Sequence, residues 1–342
     1  MIIYFWVLAV PALVSFMGLR RREGLNVPLI LFYIVLCLFI GLRDEVGPDW
    51  TGYLNIFAIA QNAPETLGAE QLFAMLNVAS GFFGLGIYGV VFCSSAIFLI
   101  GLGSFAQKTS NPWLATTVVL PYLVFIIGMS GLRQAAAIGI IYFALARWDR
   151  IKTLTKYMYV GIAAGFHASS VLMIYLILFE NRRNIGAKIA IMLTLFVYVI
   201  LFGSQEASYT VETYSQRYYE QNVLSSGAYA HVALSAIPAA IFLLIGGKFK
   251  GTQFDSGVVR LGSWAAIVCL PMVAVSSTGA DRVSLFFSYV QMWIYPALTK
   301  INPKFEYVIQ VTVVLWALII FFVYFYFGAM AYLYVPYRNV FQ

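Results

Sequence analysis

The sequence predicts an all-α protein that threads a membrane many times. Three observations carry this. Of its 342 residues 62% are hydrophobic, 17% are aromatic and only 10% are charged, whereas a soluble domain is about 45–50% apolar and about 25% charged. Apolar runs recur along the whole chain at the length that lets a helix cross a bilayer, roughly 20 residues. The short apolar/polar alternation of a membrane β-barrel is missing, so helices must satisfy the backbone.

About 11 apolar segments follow in order, near 2–19, 27–42, 83–105, 112–128, 131–147, 155–180, 186–203, 229–246, 258–275, 283–299 and 306–328. The first reads as a retained helix rather than a removed leader, because Arg20, Arg21 and Arg22 follow its apolar run instead of preceding it. The positive-inside rule orients the rest. With the N-terminus outside, the loops assigned to the cytoplasm hold 16 of the 21 Lys/Arg and 5 of the 14 Asp/Glu. The basic net charge is therefore a topology signal and not a nucleic-acid footprint.

Segment 155–180 breaks the alternation, since basic loops flank it on both sides. It is too short for two full spans at 1.5 Å per residue. Either it is one long tilted helix, or it is a re-entrant or broken helical hairpin that turns at "AGFHASS", 164–170. The flanking basic loops predict the hairpin. It puts His167 at irregular backbone, which protein or a watery cavity must surround.

Two outer segments remain. The first, 43–82, contains "EQLFAMLNVASGFFG", a candidate amphipathic helix at the interface. The second, 204–228, lies in the tyrosine-rich stretch "SQEASYTVETYSQRYYEQNVLSSGAY". Such a stretch suits either an aromatic interface belt or the stacking faces of sugar rings. There is no soluble domain. Cys37, Cys93 and Cys269 lie far apart inside apolar runs and read as small buried residues. With only two histidines, a tight zinc site is not expected.

All eight lysines fall on the inner side, and every outward cation is arginine: Arg43, Arg133, Arg217, Arg282 and Arg338. Arginine's planar fork suits bidentate grip of phosphate. Four clusters sit at outer helix ends. "GLRDEVGPDWTGY" brings Arg43, a Gly47-Pro48 turn, and Asp49 and Tyr53 one helical turn apart. Asp44, Glu45 and Asp49 are close enough to hold a divalent ion weakly. "SGLRQ" opens a helix with Arg133 and Gln134, where free N–H groups favour anions. "GFHASS" supplies His167, and "STGADRVSLFF" supplies Asp281 and Arg282. Each has a plain structural alternative: an Arg43–Asp49 ion pair, a His167 that satisfies broken backbone, an Asp49 or Asp281 that only caps a helix.

In order, Arg43, "VGPDWTGY", "GLRQ", "FHAS" and "DRVSLFF" resemble the EpsG family, a branch of the Wzy-type polysaccharide polymerases that includes O-antigen and exopolysaccharide enzymes. Pro48 and the late "DRVSLFF" depart from the family pattern. The resemblance implies a GT-C-like integral-membrane glycosyltransferase in the bacterial plasma membrane, with its active site facing outside. The implied substrates are repeat units on undecaprenyl pyrophosphate; the growing glycan is donor and one lipid-linked unit is acceptor. No cofactor, metal, nucleotide sugar or nucleic acid is implied. A chain-length regulator and a flippase are the implied protein partners. The expected roles follow from that chemistry. Arg43, Arg133, Arg282 and Arg217 stabilise the pyrophosphate. Asp49 or His167 takes the acceptor proton, with Glu212 and Glu220 behind them. Gln134, Tyr53 and Tyr218 contact the glycan. A lipid-linked glycan ligase, or a transporter or flippase of lipid-linked sugars, is the alternative. A transporter favours internal repeats and mid-span ionisable groups, and neither is seen.

Overall fold

Four helix starts are written locally. Asn26 and Asn111 accept from the N–H groups of Leu29 and Leu114, three residues on, each with proline in the first turn. Ser256 and Ser276 do the same for Val259 and Gly279. The computed structural model of the chain describes residues 1–17, 26–64, 67, 68, 70–180, 186, 189, 227–250, 252, 253, 255–301 and 303–341. It is 81% helix. Among the described residues there is no strand, only an isolated bridge between Arg43 and Asn339.

The helices in order are α1 (Ile2–Phe16), α2 (Val27–Gly41), α3 (Trp50–Asn62), α4 (Gln71–Phe82), α5 (Gly86–Ala106), α6 (Pro112–Ser130) and α7 (Leu132–Leu145). They continue as α8 (Thr153–Phe166), α9 (Ile174–Glu180), α10 (Ala228–Ile245), α11 (Gly257–Met272), α12 (Ser277–Leu285), α13 (Tyr289–Ile301) and α14 (Glu306–Phe327). Among the described residues α5, α6 and the helices beginning at Ala228 and Pro303 are long and apolar enough to cross a membrane, and six shorter apolar helices accompany them. Trp6, Leu13, Val35, Ile100, Trp264 and Val323 are exposed on the outside of the bundle. A multi-pass membrane protein presents such side chains to lipid. Of the expected segment 186–203 and outer segment 204–228, nearly all lies outside the described residues.

Helix α6 runs through the centre and is buried almost throughout. Proline at 121 has no N–H to give to the residue four back, and the turn widens into a π-helix over Leu120–Ile127. Helices α5 and α7 cross with their backbones in contact. A methyl group on Gly101 would lie 1.8 Å from the Gly139 carbonyl oxygen, and one on Gly139 would lie 2.5 Å from the Ile97 oxygen. Between membrane helices, where no hydrophobic drive sorts partners, such close approach of small residues supplies the packing. It also fixes where the first turn of α7 sits.

The 153–180 region doubles back. Helix α8 ends at Phe166, His167 is extended (φ −154°, ψ 115°), and a 3-10 turn over Ala168–Met173 leads into α9. The two ends then meet: Lys156 Nζ lies 2.7 and 2.8 Å from the Glu180 carboxylate oxygens. Each arm is about 20 Å long, so His167 sits at the far end from this ion pair.

Gly139→Leu should lower the thermal midpoint of the detergent-purified protein sharply, since overpacking of this kind costs about 3 kcal/mol. Gly161→Ala, at a helical site where an added methyl meets nothing within 4 Å, should hold or raise it. Equal behaviour of the two variants would refute the close-crossing account.

Candidate active site

The end of the bundle that holds His167 gathers most of the charged residues singled out in the sequence. Glu70, the residue just before α4, lies at its centre. One carboxylate oxygen is 2.7 Å from His167 Nδ1 and 3.3 Å from the Ala168 N–H; the other accepts from Arg133 at 2.5 Å. The Arg133 side chain is 40% exposed while that of Glu70 is 13% exposed. One side of the guanidinium is thus occupied and the rest stays open. Tyr53 hydrogen-bonds to the same guanidinium from α3.

The Glu70 contact decides the state of His167. A carboxylate at Nδ1 holds the proton on that nitrogen and leaves the Nε2 lone pair free. His167 Nε2 is buried and has no hydrogen-bond partner. Arg282 lies close enough to act electrostatically on the ring. It is exposed, and among the described residues it makes no ion pair. Gln134 donates to the Arg282 carbonyl at 2.6 Å, which ties the first turn of α7 to α12. The structure therefore brings Arg133, Gln134, His167, Arg282 and Tyr53 to one place. Asp49 joins at the edge, where Ser130, the last residue of α6, donates to it at 2.6 Å.

One expectation and three of the alternatives set beside the expected roles need correction. Arg43 does not face a ligand. It is 1% exposed, donates to the carbonyls of Ile40 and Val46, and is surrounded by Tyr334, Tyr53, Tyr4 and Tyr337. Its bond to Ile40 satisfies a carbonyl at the open end of α2. Burial lowers its pKa to about 10, still a cation at neutral pH. Nor does Asp49 hold Arg43 or cap α3 through its side chain. Asp281 does not cap α12, a task Ser276 performs; it faces His231 and Tyr122 instead. Asp44, Glu45 and Asp49 go to three partners, Tyr88, Arg338 and Ser130, and form no ion cage. Arg217, Tyr218, Glu212 and Glu220 lie outside the described residues.

Sequence reading missed the C-terminal clamp on the Arg43 loop. The Asp44 N–H donates to Arg338 O (3.1 Å), Gly47 N–H to Leu333 O (2.9 Å) and Val340 N–H to Leu42 O (3.0 Å). Gly47 takes φ +102°, and a side chain there would sit 2.7 Å from the Met129 carbonyl. Only glycine lets the loop lie against the end of α6. Sequence reading also missed Glu70 as a site residue. An open hollow of about 560 Å³ between Met1–Ile3 and Val335–Tyr337 has nearly wholly apolar walls and contains none of the site's charges.

A family model described as the EpsG family matches residues 26–339, nearly the whole chain. The chain belongs to the EpsG family. That family is one of Wzy-type polysaccharide polymerases, and membership places the chain among membrane proteins of polysaccharide biosynthesis. The match spans every residue of the site described above. Comparison with curated proteins and with solved structures finds no match.

Burial alone would raise the Glu70 pKa, but the His167 hydrogen bond and the Arg133 charge outweigh it and bring the value to about 2, against an ordinary 4.5. A folded value below the unfolded one means that the ionised group stabilises the fold in full above about pH 4.5. That contribution drains away only as the pH falls toward 2. The infrared difference between the protein and its Glu70→Gln variant at pH 4 should accordingly show a lost carboxylate band; a lost protonated-carboxyl band contradicts the triad.

Proposed function

We propose that this chain joins oligosaccharide repeat units carried on a polyprenyl pyrophosphate, undecaprenyl in bacteria, into a longer glycan at the outer leaflet. One observation carries the reading. An imidazole with one nitrogen anchored by a carboxylate and the other without a hydrogen-bond partner stands beside two arginines that, among the described residues, keep donors unspent. Glycosyl transfer from a lipid pyrophosphate asks for both parts: a base for the acceptor hydroxyl and fixed cations for the leaving group.

The acceptor hydroxyl meets His167 Nε2 and gives up its proton as its oxygen attacks the anomeric carbon of the donor glycan. The bond from that carbon to the pyrophosphate oxygen breaks, and the electron pair leaves with the lipid. Arg282 and the open side of Arg133 take up the negative charge that develops. Glu70 keeps the imidazole in the accepting tautomer and stabilises the imidazolium that forms, as carboxylates do in hydrolase triads. Gln134 places Arg282 through its main chain. Asp49 and Ser130 offer hydrogen bonds to sugar hydroxyls at the edge, and Tyr53 backs Arg133. Outer-leaflet placement is supported by the charge distribution, since all site residues sit on loops and helix ends of the lysine-free side.

The test uses purified protein and the lipid-linked repeat unit that accumulates in cells deleted for this chain. The wild type should convert it into a ladder without added nucleotide. Arg282→Ala should lower turnover by about 10²–10³-fold, and His167→Gln by about 10²–10⁴-fold. Arg133→Lys should fall well short of wild type, because lysine cannot serve Glu70, Tyr53 and a phosphate in one plane. A wild-type preparation that leaves the lipid-linked unit unextended sinks the polymerase reading.

A further inference from the structure

A second imidazole–carboxylate pair lies on the next residue of the same helix turn. Asp281 directly precedes Arg282 in α12. Its Oδ2 is 3.1 Å from His231 Nδ1, and its Oδ1 accepts from the Tyr122 hydroxyl at 3.4 Å. The Tyr122 and His231 rings stack with centroids 4.3 Å apart and planes at 28°. His231 is thus held along one edge and on one face. Its Nε2 makes no hydrogen bond among the described residues, and a quarter of the side chain stays open (26%). Tyr122 comes from the π-helical stretch of α6, the one place where that buried helix departs from regular winding. Wide turns of this kind concentrate where a side chain must be aimed.

No step above uses His231, yet the reaction has a second proton position to fill. The base removes a proton from the acceptor, while the departing lipid pyrophosphate gains a terminal phosphate oxygen. An imidazolium N–H placed against such an oxygen can pass its proton directly to it. Asp281 and Arg282 are consecutive in α12, so the pair and the exposed cation share one turn of that helix.

We propose that His231, held by Asp281 and Tyr122, is the acid that protonates the departing pyrophosphate. The inference rests on the polymerase reading. The step balances. The acceptor proton passes to His167 Nε2, the acceptor oxygen bonds to the anomeric carbon, and the carbon–oxygen bond to the pyrophosphate breaks. The oxygen that leaves with the electron pair takes the proton from His231 Nε2. His167 ends protonated and His231 neutral, and exchange with water resets both. Among the described residues the charged and titratable groups around His231 are few. Asp281 and Arg282 come from α12 and Tyr122 from α6. Of the other elements packed on α10, α11 brings Arg260, which lies over Phe242 about three turns away. Helix α13 brings Tyr289, bonded to the Val258 carbonyl, and Lys300, paired with Glu306.

The experiment follows turnover of the accumulated lipid-linked unit against pH, between about 5 and 9, for wild type, His231→Gln, Asp281→Asn and Tyr122→Phe. The wild type should give a bell, with one limb for a neutral base and one for a protonated acid. His231→Gln keeps a neutral donor near Nε2 but has no proton to give. It should lose about 10²-fold in kcat and lose the falling limb at high pH, with KM for the lipid-linked unit changed less than about threefold. Asp281→Asn should repeat this in weaker form, and Tyr122→Phe should cost only several-fold. Binding of undecaprenyl pyrophosphate by His231→Gln should persist, which shows the variant to be folded with the cation site intact. If that variant does not fold, the Tyr122→Phe and Asp281→Asn profiles decide. Variants that keep the wild-type bell and rate overturn the acid role while the polymerase reading stands. A wild type that makes no ladder overturns the polymerase reading itself.

Discussion

A carboxylate buried among helices must find cations or hydrogen-bond donors, and at Glu70 that need organises the site. Taking its charge out of water without partners is far costlier than any local propensity can repay. The partners come from Arg133 on α7, His167 at the break of the α8–α9 hairpin and the Ala168 N–H beyond it. Three elements far apart in sequence are thereby tied at one point. Removing the carboxylate leaves Arg133 and an unanchored imidazole side by side, a loss on the order of 3 kcal/mol before any effect on chemistry.

The rest of the bundle can be read as the means of delivering these three groups. The glycine crossing of α5 and α7 sets the height at which α7 begins, and hence where Arg133 and Gln134 emerge. The Lys156–Glu180 pair closes the other end of the hairpin and keeps its two arms in register. Each arm, at about 20 Å, is shorter than the roughly 30 Å core of a bilayer, and the chain turns back at His167. Backbone broken at depth is tolerated only where polar partners replace the lost helical bonds. Here the Glu70 carboxylate is such a partner, for it accepts from the Ala168 N–H as well as from the ring.

Much of this was legible in the sequence. The apolar runs, the basic loops that flank 155–180 and the short clusters at helix ends pointed to the helices, the fold-back and most of the polar residues that the structure gathers at one end. What was not legible depended on distance. Glu70 is 63 and 97 residues from its two partners, and an acid ahead of an amphipathic helix looks like any other outer charge. Arg43 carried the same motif signal as Arg133, but the two arginines have different fates. The difference comes from the last residues of the chain, where Tyr334, Tyr337 and the strand-like pairing at Asn339 close over the loop. Nothing near Arg43 in sequence announces that cover. The same holds for Asp281, which a local reading makes a cap and the fold makes the partner of a histidine fifty residues away.

The division of labour between Arg43 and the other arginines follows from solvation. A guanidinium that binds a pyrophosphate must exchange water for phosphate at each turnover, so it needs an open side and donors not already spent. Among the described residues Arg282 has both, and Arg133 has one side of its fork. Arg43 has neither, being enclosed by phenol rings and bonded to carbonyls. Its charge still matters, since it stands behind Tyr53 and so behind Arg133, and adds a fixed positive potential to a low-dielectric pocket. A motif arginine can therefore support the candidate site from behind, without opening onto it.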